Sequence, residues 1–219
     1  MTPRQALIFA NGEPADGTMV RLSIAQTITP TVIAADGGVR VAHFFDMPVH
    51  TVIGDMDSLP PDEQIRLHDQ QVQFITHPPE KDFTDLELAL MHAVEQGFTW
   101  IRIIGAIGNR FDQTLANVYL LALPILASCD VGIVSGEQFL RLLRVGDNHL
   151  HGEIGDTLSL IPLGGAVEAI RTHGLQYPLH DETLYFGPAR GVSNVFLSTQ
   201  VTVSVGAGQL LAIHTRGRA

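Results

Sequence analysis

Residues 100–117 read Trp-Ile-Arg-Ile-Ile-Gly-Ala-Ile-Gly-Asn-Arg-Phe-Asp-Gln-Thr-Leu-Ala-Asn: a β-branched apolar run, a turn punctuated by two glycines, and a helical pattern from about Gln113. Strand, glycine turn and helix in that order form the repeating unit of a parallel sheet. Working outward, further apolar runs lie at 7–10, 31–35, 49–53, 72–76 and 131–134, and nearly every run is followed by Gly, Asp or both. Amphipathic segments at 39–45, 61–69, 85–96 and 113–128 separate several of them; in 85–96, Leu86, Leu90 and Ala93 recur at helical spacing. The pattern predicts an α/β first domain over residues 1–145, a Rossmann-like, largely parallel sheet flanked by helices. Such sheets bind ligands at the carboxyl ends of their strands.

From 146 to 219 the texture changes. Gly-rich turns separate strand-like runs at 157–162, 195–205 and 210–214, with no long helix, which predicts a small all-β sandwich or barrel. About 70 residues is near the lower limit for a self-sufficient core. The formal net charge of −10 argues against nucleic acid or an anionic membrane surface as partner. No apolar stretch reaches the ~20 residues a bilayer span needs, and the longest, 118–129, is interrupted by Pro124. The opening residues read as a first strand rather than a signal peptide, and the single Cys129 excludes an intrachain disulfide, so a cytoplasmic location is expected. Cys129 reads as a small apolar residue at a helix end and Trp100 as core. His149 and His151 read as members of a polar loop without metal-ligand spacing.

Four stretches at strand ends carry chemistry. Gly54-Asp55-Met56-Asp57-Ser58 places two carboxylates at alternate positions, an oxygen-rich arrangement suited to Mg2+ and equally an Asx-type turn. Lys81-Asp82-Phe83-Thr84-Asp85 contains capping-box spacing between Thr84 and Glu87, which makes Thr84 the N-cap and Asp85 the first helical residue. In residues 105–112 the glycines allow backbone N–H groups to approach an anion at a helix N-terminus, Arg110 can grip phosphate, and Asp112 reads as an N-cap. Asp36-Gly37-Gly38 repeats the strand-to-glycine turn. Taken singly, each fits a cap or a turn. Together they bring Asp36, Asp55, Asp57, Asp85, Arg110 and Asp112 to one sheet edge, where clustered carboxylates repel one another unless a cation joins them.

These stretches, with 105–117 (GAIGNRFDQTLAN), resemble the three acidic and glycine motifs of thiamine pyrophosphokinases in their usual order. Gly174-Leu175-Gln176-Tyr177-Pro178-Leu179 and Gly191-Val192-Ser193-Asn194 resemble that family's thiamine-domain signature. The resemblance implies transfer of the diphosphate of ATP to the thiamine hydroxyl, giving thiamine diphosphate and AMP. It implies Mg2+ held by Asp55, Asp57 and Asp85, and ATP surrounded by Asp36, Gly37, Lys81, Thr84, Gly105 and Arg110. Asp112 would lie near the reacting groups. Leu175, Tyr177, Ser193 and Asn194 would form the thiamine pocket, at a homodimer interface.

Two positions depart from the family pattern: Gln113 follows Asp112 where His is common, and Val195 follows Ser-Asn where an acid is frequent. A strand followed by Asp-x-Asp also resembles haloacid-dehalogenase-type phosphohydrolases, with Asp55 as nucleophile, but that leaves 174–194 unexplained. A non-catalytic nucleotide or thiamine sensor is the remaining alternative.

Overall fold

The computed structural model describes residues 3–78, 80 and 82–217. The chain separates into two compact units, residues 1–136 and 137–219.

The first unit runs β1 (Gln5–Phe9), α1 (Thr18–Ala25), β2 (Thr31–Ala35), α2 (Gly38–Phe44), β3 (Thr51–Gly54), α3 (Pro61–Asp69), β4 (Gln73–Thr76), α4 (Asp85–Glu95), β5 (Trp100–Ile104), α5 (Phe111–Tyr119) and β6 (Asp130–Ser135). Its strands pair in parallel in the order β6-β5-β1-β2-β3-β4. The central strands are apolar along almost their whole length; β5 is buried from end to end and β1 and β2 from their second residue on, as expected of a parallel sheet covered on both faces. Leu86, Ala89, Leu90 and Ala93 of α4 are buried at helical spacing, and α4 packs across β1, β2 and β3.

Strand order decides where a ligand fits. From β1 the chain steps outward through β2, β3 and β4, then returns to place β5 on the other side of β1. That reversal opens a crevice beyond the carboxyl ends of β1 and β5.

Two details of the first unit differ from the sequence-based expectation. The helix expected over 113–128 is α5, ending at Tyr119, followed by two short 3-10 turns at Leu120–Ala122 and Pro124–Leu126. Pro124 lacks the N–H that a continuing helix needs. The N-cap of α5 is Arg110, and Asp112 lies in the first turn, where its charge suits the helix dipole.

The second unit contains no helix among the described residues. Its strands are β7 (Gln138–Leu143), β8 (Gly146–His151), β9 (Thr157–Pro162), β10 (Val167–His173), β11 (His180–Leu184), β12 (Asn194–Val195), β13 (Gln200–Val205) and β14 (Leu210–Thr215). They form two antiparallel layers, β12-β9-β14-β7 and β11-β10-β13-β8. Strand β7 pairs with β14 along its full length, which places 138–143 in this unit. On β13, Val201, Val203 and Val205 point into a core shared with Leu158, Leu160, Phe196 and Leu210, while Gln200, Thr202 and Ser204 face out.

Here too the sequence reading needs correction. The run 195–205 is two strands in different layers: Asn194–Val195 pairs with β9, and Gln200–Val205 pairs with β8 and β10. His149 and His151 lie on β8 rather than in a loop, exposed on either side of buried Leu150. A strand with a single inward apolar residue among polar ones carries too little periodicity to be read as one.

Candidate active site

The crevice of the first unit is a cavity of about 550 Å3 lined by residues that follow all five of β1 to β5. Asp36 follows β2 and is held in the left-handed region, φ 44°, a conformation that Asp tolerates better than most residues. It is 5% exposed, and its Oδ1 has no hydrogen-bond partner among the described residues. After β3, Met56 at φ 66° makes a turn in which the Asp57 N–H donates to Asp55 Oδ1 at 3.3 Å, so the Asx-type turn and the paired carboxylates coexist. One oxygen each of Asp36, Asp55 and Asp57 lies within 4.8 Å of the other two.

Two like charges at that distance repel by about 1 kcal/mol in water and about 4 at surface-like dielectric. A cap contributes about 1 kcal/mol, so at the surface-like dielectric the repulsion outweighs what turn-making returns. Three hard oxygen donors, one of them buried without a partner, fit Mg2+.

Asp85 opens α4, whose N-cap Thr84 accepts the Glu87 N–H at 3.2 Å. Gly54 lies between Asp36 and Asp85: a Cβ there would stand 2.9 Å from the Asp36 Cβ and 3.0 Å from Asp85 Oδ1. The bare backbone at 54 therefore lets the acids after β2 and β4 face one another across the end of β3. Lys81 lies outside the described residues.

On the other wall, Gly105 has φ 76° and lies so close to β1 that a Cβ would meet the Ala10 carbonyl at 2.4 Å. The turn it starts is tied down on two sides. Gly12 N–H and Glu13 N–H donate to the carbonyls of Gly105 and Ile107, and Asn109 donates to the Glu13 carboxylate at 3.0 Å. From α5, Thr114 bonds the Gly108 backbone and Asn117 donates to the Ala106 carbonyl at 2.7 Å. Arg110 pairs with Asp112 at 2.6 Å, and this guanidinium bond holds the Asp112 carboxyl below its usual range.

Asp36, Asp55, Asp57, Thr84, Asp85, Gly105 and Arg110 all line this one cavity. Sequence reasoning missed Asn11, Gly12 and Glu13, although Asn-Gly directly after the first apolar run repeats the strand-to-turn signal of the other motifs. It also missed Thr114 as a staple of the glycine turn. Gln113 lines the cavity as well.

In the second unit a smaller cavity of about 180 Å3 is lined by Tyr177, Pro178, Gly191, Val192 and Asn194 among others. Asn194 joins the two segments singled out by sequence: its Oδ1 accepts the Tyr177 N–H at 2.9 Å and its Nδ2 donates to the Tyr177 carbonyl at 2.6 Å. Ser193, at φ 60°, is exposed beside it and donates its N–H to Ser159 Oγ at 3.1 Å. Leu175 is buried in the core and forms a bridge with Phe196. Tyr177 is largely exposed.

Comparison with known proteins follows the same division of the chain. Residues 25–132 match the family model "Thiamin pyrophosphokinase, catalytic domain", and residues 148–210 match "Thiamin pyrophosphokinase, vitamin B1 binding domain". The thiamine pyrophosphokinase of Bacillus subtilis (strain 168) is 26% identical over 186 residues, covering 84% of this chain and 83% of that protein. Thiamin pyrophosphokinase 1 of Caenorhabditis elegans is 25% identical, over 94% of this chain and 88% of that one. Among solved structures, thiamine pyrophosphokinase from Bacillus subtilis superposes with a TM-score of 0.85 at 23% identity, over 97% of this chain and 99% of the other. The yeast enzyme gives 0.80 at 15% identity, over 98% and 87%. At these identities the structural matches establish the fold.

Proposed function

Because the chain belongs to the thiamin pyrophosphokinase family, enzymes that form thiamine diphosphate from ATP and thiamine, we propose that the strand-end cleft of its first unit performs the transfer and that its second unit holds the thiamine. The observation that carries this reading is the convergence of Asp36, Asp55 and Asp57 within 4.8 Å, with a buried oxygen of Asp36 left unpartnered, in the cavity that also holds the glycine turn and Arg110.

Asp55, Asp57 and Asp85, joined by Asp36, are the residues that would hold Mg2+. Bound there, the ion would neutralise phosphate charge and orient the chain of ATP. The glycine turn at 105–110 and the N-terminus of α5 supply a field favourable to phosphate. Arg110 grips it, oriented by Asp112, and Lys81 is the further cation assigned to the phosphates by the family resemblance. Thr84 lines the cavity beside Asp85, and Gly37 lets Asn11, another lining residue, pack close beside Asp36 for the nucleotide to meet. The thiamine hydroxyl attacks the β-phosphorus in line and AMP departs. Positioning does most of the work, since a loose transition state needs little help from a base. Asp112, beside Arg110 at the start of α5, is the carboxylate assigned here to take the hydroxyl proton, and its bond to Arg110 keeps it ionised for that role.

In the second unit, Tyr177, Ser193 and Asn194, with Leu175 behind them, form the thiamine pocket. A homodimer is supported by exposed Phe111, Leu115 and Tyr119, one stripe along α5, and by exposed Tyr185 and Phe186. No helix among the described residues is long and apolar enough to cross a membrane.

The test is a product assay with ATP, Mg2+ and thiamine, following AMP and thiamine diphosphate together. Equimolar appearance of both, lost on chelating the metal and in the absence of thiamine, is expected. Undiminished turnover in chelator would defeat the metal assignment, and inorganic phosphate without thiamine diphosphate would defeat the transfer.

A further inference from the structure

Asp156 is 2% exposed, in a loop of the second unit outside either cavity, yet its carboxylate accepts four hydrogen bonds. Oδ2 accepts the Glu153 N–H at 2.8 Å, the Nε2–H of His214 at 2.7 Å and Arg216 Nη1 at 3.3 Å; Oδ1 accepts the Gly217 N–H at 2.8 Å. Arg216 also pairs with Glu153. Burial works against the Asp156 charge, but the two backbone N–H groups and the His214 ring outweigh it and hold the carboxyl below its usual range. A buried charge satisfied this fully resists displacement, because removing one partner leaves the others uncompensated.

What the cluster grips is the strand that carries the pocket. The Phe196 N–H donates to the Asp156 carbonyl at 2.9 Å, and the Gly155 N–H donates to the Phe196 carbonyl at 2.9 Å. The His214 ring stacks on the Phe196 ring, with centroids 4.9 Å apart and planes 18° from parallel. From Phe196 the hold passes to both pocket segments. Asn194 and Val195 precede it directly; Phe196 bridges Leu175, and the Gln176 N–H donates to the Val195 carbonyl at 2.9 Å. Even the space is reserved, since a Cβ on Gly152 would lie 2.9 Å from both Asp156 Oδ2 and His214 Nε2.

We propose that Asp156 and His214, with Arg216, are positioning residues for thiamine: they clamp Phe196 and so set the placement of Asn194 and Tyr177 at the pocket. This rests on assigning thiamine to the second unit, and its effect belongs to thiamine affinity, not to ATP.

The experiment is steady-state kinetics with thiamine varied at saturating Mg2+ and ATP, then ATP varied at saturating thiamine, each below the variant's Tm. Asn194→Ala calibrates the pocket. An unchanged thiamine KM in that variant removes the assignment on which the proposal stands, and the proposal with it. Given a raised KM there, Asp156→Asn is expected to raise the thiamine KM on the order of 10-fold or more, with the ATP KM within about twofold of the parent. Gly152→Ala, which forces a methyl group against the cluster, should move the same way. His214→Phe keeps a ring against Phe196 and removes only the N–H donor, so it reports where Asp156→Asn fails to fold; a smaller rise confined to thiamine is expected. A thiamine KM unchanged in Gly152→Ala and His214→Phe despite a lower Tm, or an equal rise in the KM of both substrates, overturns the inference.

Discussion

Asp36 and Asp156 are both buried aspartates, at 5% and 2% exposure, in the two units of one chain. Asp156 has four donors; Asp36 keeps an oxygen with none among the described residues, and one oxygen each of Asp55 and Asp57 lies within 4.8 Å of its carboxylate. The difference follows from topology. A parallel sheet sends every strand end to the same edge, so acids after β2, β3 and β4 gather there, and at Asp36 one oxygen finds no donor among the described residues. An antiparallel sandwich folds its turns back on themselves, and a buried acid finds N–H groups from its own loop and from the next strand. One unit gathers charge at a cavity; the other uses charge to fix its own backbone.

The sharpest way to break this contrast is to remove an acid from the first cluster. Asp57→Ala should lower diphosphate transfer on the order of 10³-fold, with an unchanged circular dichroism spectrum, and near-normal turnover would mean that the acids do not hold the metal. A subtler variant turns the same cluster into a stability probe. Asn tolerates the left-handed backbone of residue 36 as well as Asp does, so Asp36→Asn removes charge with little strain. In chelator it should raise Tm by about 2–4 °C by relieving repulsion, while lessening the stabilisation that added Mg2+ gives. A lower Tm in chelator would show that the acids are not in conflict.

The second cluster answers to pH. Burial, opposed by the Asp156 carboxylate, holds His214 below its ordinary value near 6.5. As pH falls through that value the unfolded chain takes up a proton that the folded chain refuses, so stability is fully present above it and declines below. Urea unfolding between pH 7.5 and 5.5 should show the decline, and His214→Phe should flatten that part of the profile. The smallest effect belongs to the edge of the cleft: Thr84→Ala removes one cap bond and should cost about 1 kcal/mol, seen as a Tm lower by about 2–4 °C.

How far the sequence could be read depended on the same contrast. Strands buried on both faces are apolar almost throughout, so β1, β2, β3 and β5 stood out, and the acids near their ends could be assembled on one edge from the sequence. That Asp36 would join Asp55 and Asp57 more closely than Asp85 does was hidden, because it depends on the left-handed turn at 36 and on strand spacing. In the second unit β8 shows one inward apolar residue, and β12 is two residues long, too short for any periodicity. Asp156 and His214 are 58 residues apart and meet only because β14 pairs with β9. No local pattern announces a contact made by pairing of distant strands.

The missing side chain at Gly54 has one more consequence. With nothing inserted between Asp36 and Asp85, the turn after β2 and the first turn of α4 both close onto bare backbone at the end of β3, where a Cβ would crowd both acids at once. A single carbon atom at position 54 would act as a wedge between the two segments that carry them.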